Sequence, residues 1–61
     1  MGTRLRKLRK ARKMSQADLA QKANLTRVYV TRLEAGQQDP SLSTINALAK
    51  ALGVPVTELL G

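Results

Sequence analysis

Apolar residues recur at helical spacing in several short stretches of the chain, and small or polar residues separate them. Leu5, Leu8 and Ala11 or Arg12 fall on one side of a helix. They predict a first helix from about Leu5 to Lys13, with Thr3 available as its N-cap. Ser15 stands before a second helix, Gln16 to Ala23. Asp18 completes a variant of the capping box with Ser15, and Leu19, Ala20 and Ala23 supply a narrow apolar stripe. The stretch "QQDPS", Gln37 to Ser41, reads as a loop, because the residue before a proline is pushed out of helical geometry. Ser41 can then cap a helix from Leu42 to Leu52, in which Leu42, Ile45, Leu48, Ala49 and Leu52 repeat at i, i+3, i+6, i+7 and i+10. Gly53 follows as its stop. Val56 to Leu60 forms a last short turn of helix, reached through Pro55.

The stretch "NLTRVYVTRLEAG", Asn24 to Gly36, gives two opposed signals. Its Thr, Val and Tyr residues have strand propensity and nearly alternate with polar ones. Its ends are those of a helix. With Thr26 as N-cap, Leu25 and Val30 form a hydrophobic staple, and Gly36 supplies a C-terminal stop. No other segment is strand-like, and an isolated strand is not viable. The β-branched residues cost a helix only tenths of a kcal/mol each, on the order of 0.5. The prediction is therefore a third helix that buries Val30 and Leu33. Arg27, Val28, Thr31 and Arg32 lie on the opposite face, with Tyr29 and Glu34 on the borders. Asn24 occupies the sharp turn before it, a place where Asn tolerates left-handed backbone better than most residues. Ala20 is small where the second and third helices approach each other. The core candidates are Leu5, Leu8, Met14, Leu19, Leu25, Val30, Leu33, Leu42, Ile45, Leu48, Leu52, Val54, Val56 and Leu59.

At 61 residues the chain is one domain, residues 1–61, with no internal repeat or linker. It has neither Cys nor His, which excludes disulfides and the usual zinc sites. No metal or cofactor is expected. No paired carboxylates and no glycine-rich phosphate loop are present, so an enzyme is not expected. No apolar run reaches the roughly 18–20 residues of a membrane span, and no apolar segment follows the basic N-terminus as in a secretory signal. A cytoplasmic protein without a membrane partner is the expectation. Net charge is +7. Arg4, Arg6, Lys7, Arg9, Lys10, Arg12 and Lys13 meet no acidic residue in the first thirteen positions, whereas positive and negative residues cancel over the rest. A polyanionic partner follows from that segment, and a solvated, solubilising helix face is the alternative.

Two short helices, a tight turn, a small residue in the first and paired apolar residues in the second make a helix-turn-helix. The run "MSQADLAQKANLTRVYVTRLEAGQQDPSLSTINALAKALGV" resembles the Cro/C1-type (XRE-like) bacterial and phage transcriptional regulators. The resemblance rests on SQ opening helix 2, LA within it, L-T at the turn, "LE-x-G" closing helix 3, the loop proline and "LA-x-ALGV". It departs from the family in having Asn24 where Gly is usual and Pro55 where a polar cap is common. The resemblance implies an all-α, lambda-repressor-like bundle of about five short helices, with helix 3 in the major groove of double-stranded DNA. Carried over residue by residue, it implies base contacts from Thr26, Arg27, Val28, Thr31 and Arg32. Arg suits guanine O6 and N7, while Val28 and the Thr methyls suit the thymine methyl. It implies backbone contacts from Gln16, Tyr29, Arg9, Arg12, Lys13 and the loop residues Gln37 and Gln38, the loop acting through main-chain N–H groups. It also implies a pairing of Arg9 with Glu34. The other basic residues of helix 1 supply long-range attraction. A homodimer on a pseudo-palindromic site is implied, joined near Val56 and Leu60, with no small-molecule ligand. An antitoxin or adaptor on the same fold is the competing reading, and a membrane-active cationic helix is a weak third.

Overall fold

The computed structural model describes residues 1–61. It contains five helices and no strand: α1 (Gly2–Ala11), α2 (Gln16–Lys22), α3 (Arg27–Glu34), α4 (Leu42–Leu52) and α5 (Val56–Leu60). The Asn24–Gly36 stretch is helical, so tertiary packing and caps override its strand propensity. Ser15, Thr26 and Ser41 accept hydrogen bonds from the backbone N–H groups of Asp18, Tyr29 and Thr44. Asp18 reciprocates with the Ser15 N–H, completing the capping box, and those hydrogen bonds from Ser15 hold its carboxyl below the ordinary range.

α1 begins and ends earlier than its pattern predicts. Its N-cap is Met1, without a side-chain cap, and Thr3 lies inside the helix. Gly2 explains the shift. A Cβ there would stand 2.6 Å from the Leu33 carbonyl oxygen and 2.7 Å from that of Glu34. Only a glycine lets the α1 N-terminus abut the C-terminal carbonyls of α3. Opposite ends of the two helix dipoles meet there, an arrangement that favours both.

Four helices end alike. In α1 to α4 one N–H reaches the carbonyl five residues back: Met14 to Arg9, Leu25 to Ala20, Gln37 to Arg32 and Val54 to Ala49. The residue before each of these donors is left-handed: Lys13 (φ 55°), Asn24 (58°), Gly36 (76°) and Gly53 (70°). This is the Schellman closure, which satisfies carbonyls that a helix end leaves open.

The core holds Leu5, Leu19, Ala20, Ala23, Val30, Leu33, Leu48, Ala49, Leu52 and Leu59, all buried. Leu8, Met14, Leu25, Ile45, Val54 and Val56 pack half-buried around them. Leu42 departs from expectation at 68% exposed. It stands in the first turn of α4, before that helix reaches its neighbours, so its helical phase does not bring it inside. α3 is held by α2 on one side and α1 on the other, while α4 and α5 close the remaining side against α2 and α1.

Lys13 carries a side chain where glycine is strain-free. Lys13→Gly is expected to raise stability by roughly 0.5–1 kcal/mol, because it relieves the left-handed cost while loosening the unfolded chain. Chemical denaturation of parent and variant checks this, and an unchanged or lower midpoint contradicts it.

Candidate nucleic-acid interface

α3 has two faces of opposite character. Val30 and Leu33 are buried to 0% and 2% exposure, while Arg27, Val28, Thr31 and Arg32 are exposed. Val28 keeps 60% of its surface in solvent. These four residues and Gln37 line one shallow depression. Thr26 is exposed at the N-cap, its hydroxyl accepting the Tyr29 N–H at 3.1 Å. Tyr29 is half-buried against the core and lines a separate groove with Asn24, Leu25, Thr26 and Thr44. All five expected base-contact residues are thus exposed, four of them around one depression and Thr26 at the N-cap beside a second groove.

Behind this surface is a hydrogen-bonded chain that runs through three helices. Arg9 donates from Nε to Glu34 Oε2 at 2.6 Å and from Nη2 to Glu34 Oε1 at 3.0 Å, a two-pronged pair between α1 and α3. Arg9 Nη1 donates to the Met14 carbonyl at 2.8 Å. Gln16 Nε2 donates to Glu34 Oε1 at 3.1 Å, and Gln16 Oε1 accepts from the Thr31 hydroxyl at 3.0 Å. The side chains of Arg9 and Glu34 are 9% and 5% exposed. No buried side-chain nitrogen or oxygen lacks a partner. Burial raises the Glu34 pKa, but the hydrogen bonds from Arg9 and Gln16 and the charges of Arg9 and Arg6 outweigh it and hold the carboxyl below its ordinary value. The Arg9 pKa is raised by its hydrogen bonds to Glu34, against desolvation.

The remaining expected residues are placed as follows. Arg9 spends three donors internally, leaving one N–H on each terminal nitrogen at the floor of a groove lined also by Arg6, Ser15, Gln16, Ala17 and Arg27. Arg12, expected beside the backbone, is exposed and also bonds within the protein. Its Nε donates to the Leu52 carbonyl and its Nη1 to the Leu8 carbonyl, so it caps the end of α4. Lys13 is exposed in the turn between α1 and α2. Gln37 cannot act through its main-chain N–H, which the Arg32 carbonyl already accepts at 2.9 Å; its side chain remains free at the rim of the depression. Gln38 is exposed beside it. The sequence reading missed Arg6, which stands with Gln16 and Arg27 rather than among the generally distributed charges. Its distance of three residues from Arg9 on one helix was the available signal.

A helix-turn-helix family model matches residues 5–59. The immunity repressor protein of Bacillus phage phi105 is 46% identical over 61 residues, all of this chain and 42% of that protein. Control protein C.BamHI of Bacillus amyloliquefaciens is 38% identical over 60 residues, 97% of this chain and 74% of that one. Among solved structures, the restriction-modification controller protein C.AhdI from Aeromonas hydrophila matches at 46% identity with a TM-score of 0.94, over 95% of this chain and 88% of that chain. The DNA-binding domain of the P22 C2 repressor matches at 32% identity with a TM-score of 0.93, over 97% and 78%. The chain spans 42% of the length of the phage repressor and 44% of the Deinococcus deserti regulator DdrOP3, less than half of each.

Glu34→Ala leaves the Arg9 guanidinium without its counter-charge. The expected cost is roughly 2–3 kcal/mol, less than for a fully buried pair because water reaches this one at the edge of the molecule. A carboxyl whose folded pKa is depressed stabilises the fold above its unfolded value and loses that contribution as pH falls through the folded one. The parent is therefore expected to lose stability as pH drops below about 4.5, more steeply than Glu34→Gln does. Thermal melts across acid pH check both effects. Equal melting temperatures for parent and Glu34→Ala, or parallel pH profiles for parent and Glu34→Gln, contradict them.

Proposed function

Since the chain belongs to the Cro/C1-type helix-turn-helix family of DNA-binding transcriptional regulators, we propose that it is a repressor that recognises a specific double-stranded DNA site with α3 in the major groove. The observation that carries this is the exposed face of α3, where Arg27, Val28, Thr31 and Arg32 line one depression and Thr26 stands exposed at the N-cap, backed by a buried opposite face. Arg27 and Arg32 offer planar paired donors to guanine, and Val28 offers an apolar surface. Gln16, Arg6 and the free edge of Arg9 flank this surface and take the phosphate backbone on one side. Tyr29, Gln37 and Gln38 take it on the other, and Lys13 adds charge nearby. The charge concentrated in residues 1–13 adds salt-sensitive, sequence-independent attraction. None of the helices is long and apolar enough to cross a membrane.

Two copies occupy the two halves of a pseudo-palindrome in this reading. Leu60 on α5 is 60% exposed, with Val56 half-buried beside it on the same helix, and provides the apolar contact between copies.

Selection from a random duplex library at about 150 mM salt tests the reading. A two-fold symmetric enriched site is expected. A half-site alone contradicts the dimer, and no enrichment contradicts specific DNA binding. On the enriched duplex, Arg32→Ala is expected to cost about 1–3 kcal/mol and relax one base position, while Lys13→Ala weakens enriched and scrambled duplexes alike. Equal losses on both duplexes for Arg32→Ala would remove it from base readout.

A further inference from the structure

The exposed face of α3 is built from two rows at helical spacing. Arg27 and Thr31 form one and Val28 and Arg32 the other, each pair four residues apart. One further step along these rows falls on Ala35 and Gly36, a methyl group and no side chain at all. The helix ends there, and Gly36 turns left-handed at φ 76°. The Gln37 N–H then bonds back to the Arg32 carbonyl at 2.9 Å, which fixes the Gln37 backbone against the last turn of α3. Gln37 is thus the next side chain of any length after the two rows, and it borders the same depression as Arg27, Val28, Thr31 and Arg32. Gln38 follows at once and stands outside that depression.

Two glutamines border this face, and their amides are differently engaged. The Gln16 amide is bonded at both ends, to Glu34 through Nε2 and to Thr31 through Oε1. The Gln37 amide is exposed and free. Its NH2 donor and carbonyl acceptor, side by side, match the edge of an adenine, where N7 accepts and the N6 amino group donates. A phosphate offers acceptors alone and leaves the amide oxygen unused. It would also bring negative charge to the C-terminal end of α3, the negative end of the helix dipole, where Gln37 has no charge to answer it. An adenine carries no net charge and meets no such penalty. Arg6 and Arg9, which face phosphate in the reading above, stand in a separate groove.

We infer that Gln37 is a specificity-determining residue whose side-chain amide reads an adenine in the major groove, in place of the backbone contact given to it above. The inference rests on the DNA-binding reading and extends the base-reading surface past the end of α3. The left-handed closure at Gly36 is what delivers the side chain there, since it folds the chain back onto the helix instead of away from it.

The duplex that the parent enriches from a random library supplies the test. Gln37→Ala should bind it about tenfold more weakly and bind scrambled duplex as the parent does. Tenfold corresponds to about 1.4 kcal/mol, within the range of one two-bonded base contact. Exchange of single adenines for 7-deazaadenine, which lacks the N7 acceptor, should weaken the parent about fivefold at one position per half-site and leave Gln37→Ala unmoved at that position. Gln37→Glu, whose carboxylate only accepts, should replace adenine by cytosine there in a repeated selection, because the cytosine N4 amino group donates. Neither variant touches the main-chain bond to Arg32, so both should melt with the parent. Equal weakening of enriched and scrambled duplexes by Gln37→Ala, no weakening of either, or retention of every adenine by Gln37→Glu overturns the inference and leaves DNA binding standing. Failure of the parent to enrich any duplex overturns both readings together.

Discussion

The pairing of Arg9 with Glu34 is the interaction on which the rest of the molecule depends. α1 and α3 are not consecutive in sequence, since α2 and two turns separate them along the chain. The fork from Arg9 to both oxygens of Glu34 ties the two helices side by side at the partly buried edge of the molecule. Gly2 allows the same two helices to meet backbone to backbone at their ends. A chain of this size has only leucines, valines and alanines for a core, and no Phe or Trp. Its apolar burial is correspondingly modest, and a satisfied ion pair at the seam contributes orientation that small aliphatic side chains alone do not specify. The pair is also continuous with the exposed surface, because the carboxylate that anchors α1 holds the Gln16 amide as well.

Much of this architecture is legible in the residues. Ser15, Thr26 and Ser41 announce helix starts because a hydroxyl before an apolar run has a specific task, the capture of an unpaired N–H. Gly36 and Gly53 announce stops for a complementary reason. Val30 and Leu33 separate from Arg27, Val28, Thr31 and Arg32 on a helical projection, and burial divides them in the same way. The Arg9–Glu34 pair came from family resemblance, since nothing local relates two residues 25 positions apart.

What was not legible depends on three-dimensional proximity. Gly2 lies in a helix where Thr3 offers a better local cap, and its reason for being small is a pair of carbonyls on α3. Lys13 is left-handed although its residue type argues against it, because α2 must begin at once in a new direction. Leu42 fits the apolar period of α4 and still lies outside, since periodicity identifies a face and not where along its length that face meets a neighbour. Arg6 and Arg12 are equivalent in the sequence, yet one lies in the groove beside Gln16 and the other caps a different helix. Charge counts along a basic helix cannot make that distinction, because long flexible side chains are assigned by whatever carbonyl or carboxylate lies within reach.

Tyr29 has a consequence of another kind. It is the only aromatic residue of the chain, and it sits where the core meets the exposed face of α3, against Leu25 and beside Thr44 of α4. The protein therefore carries a single intrinsic fluorophore, free of overlapping tryptophan emission. The ring borders the core on one side and the groove beside the α3 surface on the other, so the one optical probe in unlabelled protein stands at the junction of the two.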